Sequence, residues 1–349
     1  MLIVSKKFSG LEKDIKINYL ENNWDLDDKY FNLNYILRLE NIKEIEKIEK
    51  KYNNLLSSLN LKNNKVDYIS LLGKHNVRNY LNTIKDAINN LKFKFNTRYE
   101  EVLNTRLNLV SNITTCYFND SDYQKPEYDN HSSLTGRTKV TSGLNFLVMK
   151  KSDRKNLTSK FKNGRIYEID IVSLEPRIMC KLTRNEEYHD IYDHVLKNVI
   201  KESCNRKNVK LGLISTLYGA KPETVKKLSG LSRTSVTLIR EWFHVEQLLK
   251  KLQNDYEKKD RLTNFYGRNI YSNNAMINHY IQSSSVDSAM IGFDDFCNTH
   301  KEGVNLIAII HDAIIVDVHP DQFKNIENTY SVYDHILDIK LPVKIERLS

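Results

Sequence analysis

The feature that most constrains the fold is a pair of β-rich segments near the C-terminus, separated by only two polar residues. Residues 304–310 read VNLIAII and residues 313–318 read AIIVDV, with His311 and Asp312 between them. Strands joined by so short a connection pair as an antiparallel hairpin. The pattern therefore predicts a hairpin that presents an acid at its turn, although Asp is also favoured in turns for structural reasons alone.

A second predicted strand carries acidic residues on one face. The sequence RIYEIDIV at residues 165–172 alternates, which puts Glu168 and Asp170 on the same face as Ile166. Carboxylates on a well-packed strand are costly unless they are solvated, paired or bound to a cation. Mg²⁺ prefers oxygen ligands and often takes only one or two protein carboxylates. Two interpretations stay open: a solvent-facing edge strand, or a cation site shared with Asp312.

A basic helix is predicted between these two strands. In the segment SCNRKNVKLGLISTLY, which covers residues 203–218, two cations, an aliphatic residue and an aromatic residue follow one another at steps of four. Such residues form one slowly winding stripe, and they are Arg206, Lys210, Ile214 and Tyr218. Gly219 follows directly, where a left-handed helix cap is common. The stripe is either the surface of an ordinary helix or a site where cations hold a triphosphate and the apolar end meets a base.

The composition restricts the class of protein. The 349 residues include 53 Lys and Arg against 44 Asp and Glu, a formal net charge of +9 that attracts polyanions or simply aids solubility. The apolar runs are too short to span a bilayer, and the N-terminus lacks a secretory signal, so we expect a cytoplasmic protein with no membrane partner. The four cysteines are too far apart for a metal or redox motif and should be reduced thiols.

The N-terminal part of the chain is predicted to be helical. An amphipathic pattern within residues 1–75 indicates a structural helix or a partner surface, and residues 77–108 indicate two basic helices whose cations either follow phosphates or face solvent. Arg98 and Arg106 are among those cations. Residues 119–141 are polar and contain Pro and Gly, which predicts a loop and a domain boundary.

Read in order, these segments resemble the motifs of the family A DNA polymerases, the bacterial DNA polymerase I class. DIVSLEPR at 170–177 resembles motif A, RKNVKLGLISTLYG at 206–219 resembles motif B, and IIHDAIIVDV at 309–318 resembles motif C. Three shorter elements also stand in the family's order: LTGR at 134–137, FYGR at 265–268 and NHYIQSSSVDSAM at 278–290. The chain is similar to a short, divergent member of phage or plasmid type.

The resemblance implies an α+β right-hand fold with an antiparallel-sheet palm, helical fingers and a reduced helical thumb. The implied regions are 1–75, an N-terminal helical region of unknown role; 76–144, thumb-like helices and the TGR loop; 145–180, palm; 181–261, fingers; and 262–349, palm. About 133 residues precede the TGR element, so we expect no proofreading exonuclease domain.

The resemblance also implies a reaction and a metal site. The reaction is template-directed addition of deoxynucleotides to a primer 3′-hydroxyl by two-metal phosphoryl transfer, with two Mg²⁺ ions or with Mn²⁺. Asp170, Asp312 and the backbone carbonyl of Ile171 would hold the ions. Lys210 would be catalytic, protonating the pyrophosphate leaving group. Primer-template DNA and dNTPs are the implied partners, and replication accessory proteins are unknown.

The remaining site residues implied by the resemblance form two sets. Those that would bind the nucleotide are Arg206, Lys210, Tyr218, Glu175, Ile214 and Tyr192. Those that would bind DNA are Arg137, Gln282, His311, Asn278 and Arg268. Ala313 stands where the family usually has a second motif C carboxylate.

Other activities are open. An RNA-synthesising or primase-like relative is one, and Glu175 argues against it because the matching glutamate blocks a ribose 2′-hydroxyl. A catalytically silent DNA-binding replication accessory protein is another. The presence of both aspartates and of both cations of the basic helix argues against it. A metal-dependent nuclease is a third.

Overall fold

An antiparallel sheet of five strands lies at the centre of the computed structural model, which describes residues 97–129, 133–200 and 202–349. The predicted region 1–75 and residues 76–96 of the thumb-like region lie outside the described residues. The strands, in chain order, are β1 Tyr117–Phe118, β2 Glu127–Asp129, β3 Lys139–Ser142, β4 Leu157–Thr158, β5 Arg165–Ile171, β6 Leu262–Thr263, β7 Asn269–Ile270, β8 Val304–Ile310, β9 Ala313–Val318, β10 Ser331–Asp334 and β11 Ile339–Arg347. The central sheet has the order β10-β11-β5-β9-β8.

Helices make up most of the rest of the described chain. They are α1 Thr97–Ser111, α2 Leu174–Arg184, α3 Ile191–His194, α4 Arg206–Leu217, α5 Pro222–Ser229, α6 Arg233–Trp242, α7 Val245–Lys259, α8 Met276–Thr299 and α9 Phe323–Glu327. Short 3₁₀ turns cover Asp153–Asn156 and Pro320–Gln322, and a π-helical turn, Val195–Val199, continues α3. The structure is therefore a mixture of helices and antiparallel sheet, as the sequence predicts at this level.

Both faces of the sheet are covered near its centre. Tyr167, Ile169 and Ile171 of β5 belong to the largest apolar core, which they share with α8 and with strands β8 to β11. Ile166 points to the opposite face and joins a smaller cluster that includes Phe146. This alternation confirms the predicted strand, and it leaves Glu168 and Asp170 on the face of the smaller cluster.

The C-terminal hairpin forms as predicted. Ile310 pairs with Ala313, so His311 and Asp312 alone make the turn between β8 and β9. His311 has a φ of 54°, in the left-handed region that side chains with a Cβ seldom adopt. The tight turn places Asp312 at the end of the sheet.

A second core holds the helices between β5 and β6. Buried side chains of α4 and α6, including Val209, Leu213 and Val236, pack with residues of α2, α7 and the start of α8. Gly212 lets α4 approach the chain after α5 closely, because a Cβ at this position would lie 2.2 Å from a methyl carbon of Leu231. The region predicted as fingers, 181–261, thus contains the helices α3 to α7.

Helix α8 is the longest described element, with 24 residues, and is buried along most of its length. Its residues contribute to both large cores, because a helix buried on several sides has apolar or small residues all around. Asp287 lies in its middle and is fully buried. Helix α8 therefore connects the sheet to the helical part of the chain.

The structure also bears on the predicted loop, on the cysteines and on the search for membrane-spanning helices. The segment 119–141, predicted as a loop, contains β2 and β3, and the buried Tyr128 exchanges hydrogen bonds of 3.1 and 3.0 Å with the backbone of Ile309. Because its hydroxyl completes the bonding of a core strand, Tyr128 attaches β2 to the core. All four cysteines are free thiols. Among the described residues, no helix combines the length and apolarity needed to cross a membrane.

Candidate functional site

Two carboxylates lie next to each other at one end of the sheet. Asp170 is the penultimate residue of β5 and pairs with Ala313 of β9, directly after Asp312. The Ile171 N–H donates to the Asp312 carbonyl at 2.9 Å. Paired Cα atoms of antiparallel strands are about 4.5–5.5 Å apart, so Asp312 is a close neighbour of Asp170. The structure brings together the two acids that the sequence places far apart in the chain.

The electrostatics of this pair suit a divalent cation. Burial raises the pKa of Asp170 to about 6, and the charges of Asp312 and Glu168 add to the rise. Two carboxylates that repel each other form an oxygen-donor set that a cation would neutralise. The described residues contain no group of three or more His, Cys, Asp and Glu side chains that could hold a metal. A cation here would thus depend on two carboxylates, backbone oxygen and substrate oxygens.

The third acid on this face is already paired. Glu168 accepts a hydrogen bond from Arg154 at 2.6 Å, and Lys151 lies 3.7 Å from its other oxygen. Lys151 also bonds Glu346 of β11 at 2.8 Å. Positive charges of Lys151 and of Lys210 lower the pKa of Asp170 and partly oppose the effect of burial. Glu168 therefore belongs to an ion-pair network beside the two aspartates.

Helix α4 carries two cations, of which Lys210 acts electrostatically on Asp170. The Asn205 side chain caps the helix by accepting from the Asn208 N–H at 2.9 Å. Arg206 and Lys210 are exposed, and their charged groups lie 5.2 and 5.9 Å from the centre of the buried Tyr192 ring. Burial raises the pKa of Tyr192 to about 12. Tyr192 is thus a neutral aromatic platform that both cations contact.

One partner of Arg206 was not found by sequence reasoning. Asp190 accepts from Arg206 Nε at 3.0 Å and Nη2 at 2.7 Å. The same residue caps α3, because its Oδ1 accepts from the N–H groups of Tyr192 and Asp193 at 3.0 Å. An Asp immediately before a short apolar helix is a recognisable capping signal. The ion pair with Arg206, by contrast, depends on how α3 and α4 pack.

A second group of predicted residues meets around Glu175, in the first turn of α2. Its carboxylate accepts from the Tyr218 hydroxyl and from Arg137 Nη2, the latter at 3.2 Å. With its amide oriented by the surrounding network, Gln282 accepts from Arg137 at 3.1 and 3.2 Å and donates to Thr135 at 2.8 Å. Burial, and then the bond to Glu175, raises the pKa of Tyr218.

Three other predicted site residues have the following environments. Burial lowers the pKa of His311, and the charge of Arg137 lowers it further, while the charge of Asp312 opposes the shift. Ile214 is half-buried, one turn before Tyr218 on α4. Asn278 is half-buried in the first turn of α8, and its DNA-binding role stays a prediction.

The position of Arg268 differs from the expectation for a DNA contact. Its side chain is only 2% exposed and bonds Asp287 in a bidentate manner, at 2.9 and 2.5 Å. Arg106, expected to follow phosphates or face solvent, is also 2% exposed and bonds Asp287 at 3.1 Å. Both guanidinium groups are directed into the protein because a buried carboxylate requires cationic partners.

Comparison with solved structures shows a likeness of fold. The chain is similar to a solved structure described as the POL domain of Pol1 from M. smegmatis in complex with DNA primer-template and dNTP, with a TM-score of 0.49 and 17% sequence identity. The match covers 81% of this chain and 55% of that one, so this chain spans about half of its length. No protein-family model matches the sequence, and no curated protein matches it.

Proposed function

We propose that the chain is a template-directed DNA polymerase that adds deoxynucleotides to a primer 3′-hydroxyl. The observation that carries the proposal is the adjacency of Asp170 and Asp312 at the sheet end, together with the influence of Lys210 on Asp170. The order of the sequence elements that resemble family A polymerases supports it. Primer-template DNA and dNTPs are the proposed substrates.

We assign the metal site to Asp170, Asp312 and the carbonyl of Ile171. These oxygen donors fit Mg²⁺, or Mn²⁺ in its place. A bound cation would relieve the charge repulsion that raises the pKa of Asp170. When bound, the ions would neutralise phosphate charge and make the primer hydroxyl a better nucleophile. The two aspartates would thereby orient the reacting groups at the end of the sheet.

Arg206 and Lys210 are the proposed phosphate-binding residues. Both are exposed cations on one face of α4, and both contact the ring of Tyr192. Arg206 would exchange the Asp190 carboxylate for a phosphate oxygen, which it can grip through the same guanidinium edge. Lys210 would hold a proton beside the leaving pyrophosphate.

Glu175 and Tyr218 are the proposed determinants of sugar choice. Their hydrogen bond joins α2 to the end of α4 and closes the space between them. A ribose 2′-hydroxyl directed at this pair would have to displace it, so deoxynucleotides are favoured. Ile214 and Tyr218 would offer an apolar surface to the nucleotide, since base stacking on such surfaces tolerates every sequence.

Arg137 and Gln282 are the proposed contacts to the primer-template terminus. Both carry hydrogen-bond donors, and purine N3 and pyrimidine O2 accept in the minor groove of every base pair. His311 would lie against the primer end, at the hairpin turn. In this proposal the sheet is the palm, α3 to α7 are the fingers, and the part of 76–144 that contains α1 belongs to the thumb.

Primer extension by the purified chain tests the proposal. A labelled primer-template with Mg²⁺ and dNTPs should be extended, and Asp312→Asn should abolish extension while DNA binding persists. Asp321→Asn is the matched control, because it removes the same charge from an 84%-exposed side chain beyond the opposite end of β9. Full-rate extension by Asp312→Asn would refute the assignment.

The same gel separates the other activities. Efficient extension with rNTPs would favour an RNA-synthesising enzyme, and chain shortening without nucleotides would reveal a nuclease or a proofreading activity. If the wild type bound DNA but did not extend the primer, the result would favour a replication accessory protein without catalytic activity.

A further inference from the structure

A fully buried group of three charges lies beneath the loop that carries Arg137. Asp287 of α8 is 0% exposed and lies between Arg106 of α1 and Arg268 of the β6–β7 turn. Asn264, at the start of that turn, also donates to Asp287, at 2.8 Å. Burying three charges is costly unless each is paired with good geometry, so this cluster specifies one arrangement of the three elements it joins.

The cluster extends directly to loop 133–137. Arg106 Nη2 donates to the Gly136 carbonyl at 2.5 Å. From the other side the Arg268 guanidinium lies against Gly136, where a Cβ would come within 2.6 Å of its Cζ atom. Gly136 has a φ of +79°, a conformation that glycine adopts without strain. Two guanidinium groups therefore determine the path of the loop at Gly136.

The flanking residues of the loop hold the proposed DNA contacts. Thr135 bonds Gln282, and Arg137 reaches both Gln282 and Glu175. Asp287 and Gln282 lie on the same helix, so the loop is attached to α8 at two positions. Asp287 holds it through the two buried arginines, and Gln282 bonds it directly. A displacement at Gly136 would move Arg137 away from Gln282.

We propose that Asp287 is a positioning residue, which acts through Arg106 and Arg268 to hold loop 133–137 so that Arg137 and Gln282 meet the primer-template terminus. Arg268 thus acts inside the protein and does not contact DNA. The inference rests on the proposed function and assigns these three buried residues to DNA affinity, with nucleotide binding affected only indirectly through the bond of Arg137 to Glu175.

The test is a steady-state comparison of the full-length Asp287→Asn and Asp317→Asn variants. Asp317 is also 0% exposed, but its carboxylate accepts from the Ser159 hydroxyl and the Lys160 N–H, neither of them in the loop or in the β6–β7 turn. We expect Asp287→Asn to raise KM for primer-template about tenfold and to change KM for dNTP by a smaller factor, because the loop reaches the proposed nucleotide residues indirectly, through the bond of Arg137 to Glu175. Asp317→Asn should leave both KM values unchanged, since a purely structural loss lowers the active fraction and hence kcat.

A second variant covers the case in which Asp287→Asn does not fold. Gly136→Ala keeps every buried charge and pushes the loop against Arg268, so it should give the same selective rise in KM for DNA. Fluorescence anisotropy of labelled primer-template should show a matching loss of affinity. An unchanged KM for DNA in the folded variants, or an equal rise in Asp317→Asn, would overturn the inference. Failure of the wild type to extend a primer would instead reject the proposed function.

Discussion

Replacing Asp170 by Asn should stabilise the metal-free protein while abolishing its activity. Burial and the charge of Asp312 raise the pKa of Asp170 from its usual 3.8 to about 6. Because the folded-state pKa is the higher one, the ionised carboxylate destabilises the folded state. This cost is fully present above about pH 6 and disappears as the pH falls to the unfolded-state value. Asn removes the charge and with it the cost.

The magnitude follows from the shift in pKa. A rise from 3.8 to about 6 corresponds to at most about 3 kcal/mol at 1.36 kcal/mol per unit. The carboxylate is partly exposed, so screening by solvent reduces the expected gain in the free energy of unfolding to about 1–2 kcal/mol. For a protein of 349 residues, that gain raises Tm by about 1–3 °C.

Thermal unfolding of Asp170→Asn in EDTA, at pH 8 and at pH 4, measures the effect. The variant should melt higher than the wild type at pH 8, and the difference should vanish near pH 4, while primer extension with Mg²⁺ is lost at every pH. Asp321→Asn, an exposed change of equal charge, should show no such pattern. A lower Tm at pH 8, or a gain that persists undiminished at pH 4, would refute the reasoning.

Three further changes test other parts of the site. Asp190→Asn keeps the helix cap but releases the guanidinium at the start of α4, so KM for dNTPs should fall about two- to fivefold in steady-state kinetics; an unchanged KM would contradict the exchange. Tyr218→Phe removes the hydrogen bond to Glu175 and should raise the ratio of rNTP to dNTP incorporation about tenfold, with no change expected if the pair is not at the sugar. Gly212→Ala should lower the free energy of unfolding by about 1–3 kcal/mol in urea, because its methyl group would clash with Leu231, whereas a gain would show that helix propensity dominates.

Local patterns account for what could be predicted of the fold. The predicted strand at 165–172, the hairpin around His311 and the predicted helix at 203–218 correspond to observed elements whose ends differ by at most three residues. Each depends on periodicity or turn chemistry over a few residues, which the sequence displays directly. The short strands β2 and β3 were not predicted, because their polar residues are typical of loops and few of their side chains, among them Tyr128 and Val140, pack on the core.

The residue types and order of the candidate site were accessible from the sequence, but the environment of each charge was not. Arg106 and Arg268 look like surface cations in the sequence, and the structure buries both around Asp287. Asp190 looks like a helix cap, and the structure also pairs it with Arg206.

The sequence by itself determined the local elements and the presence of two acids and two cations at their ends. Only the tertiary structure decided that Asp170 lies beside Asp312 with a raised pKa, and which arginines are exposed and which are buried. The physical reason is that periodicity depends on neighbours along the chain, whereas the cost of a charge depends on the segments that pack around it.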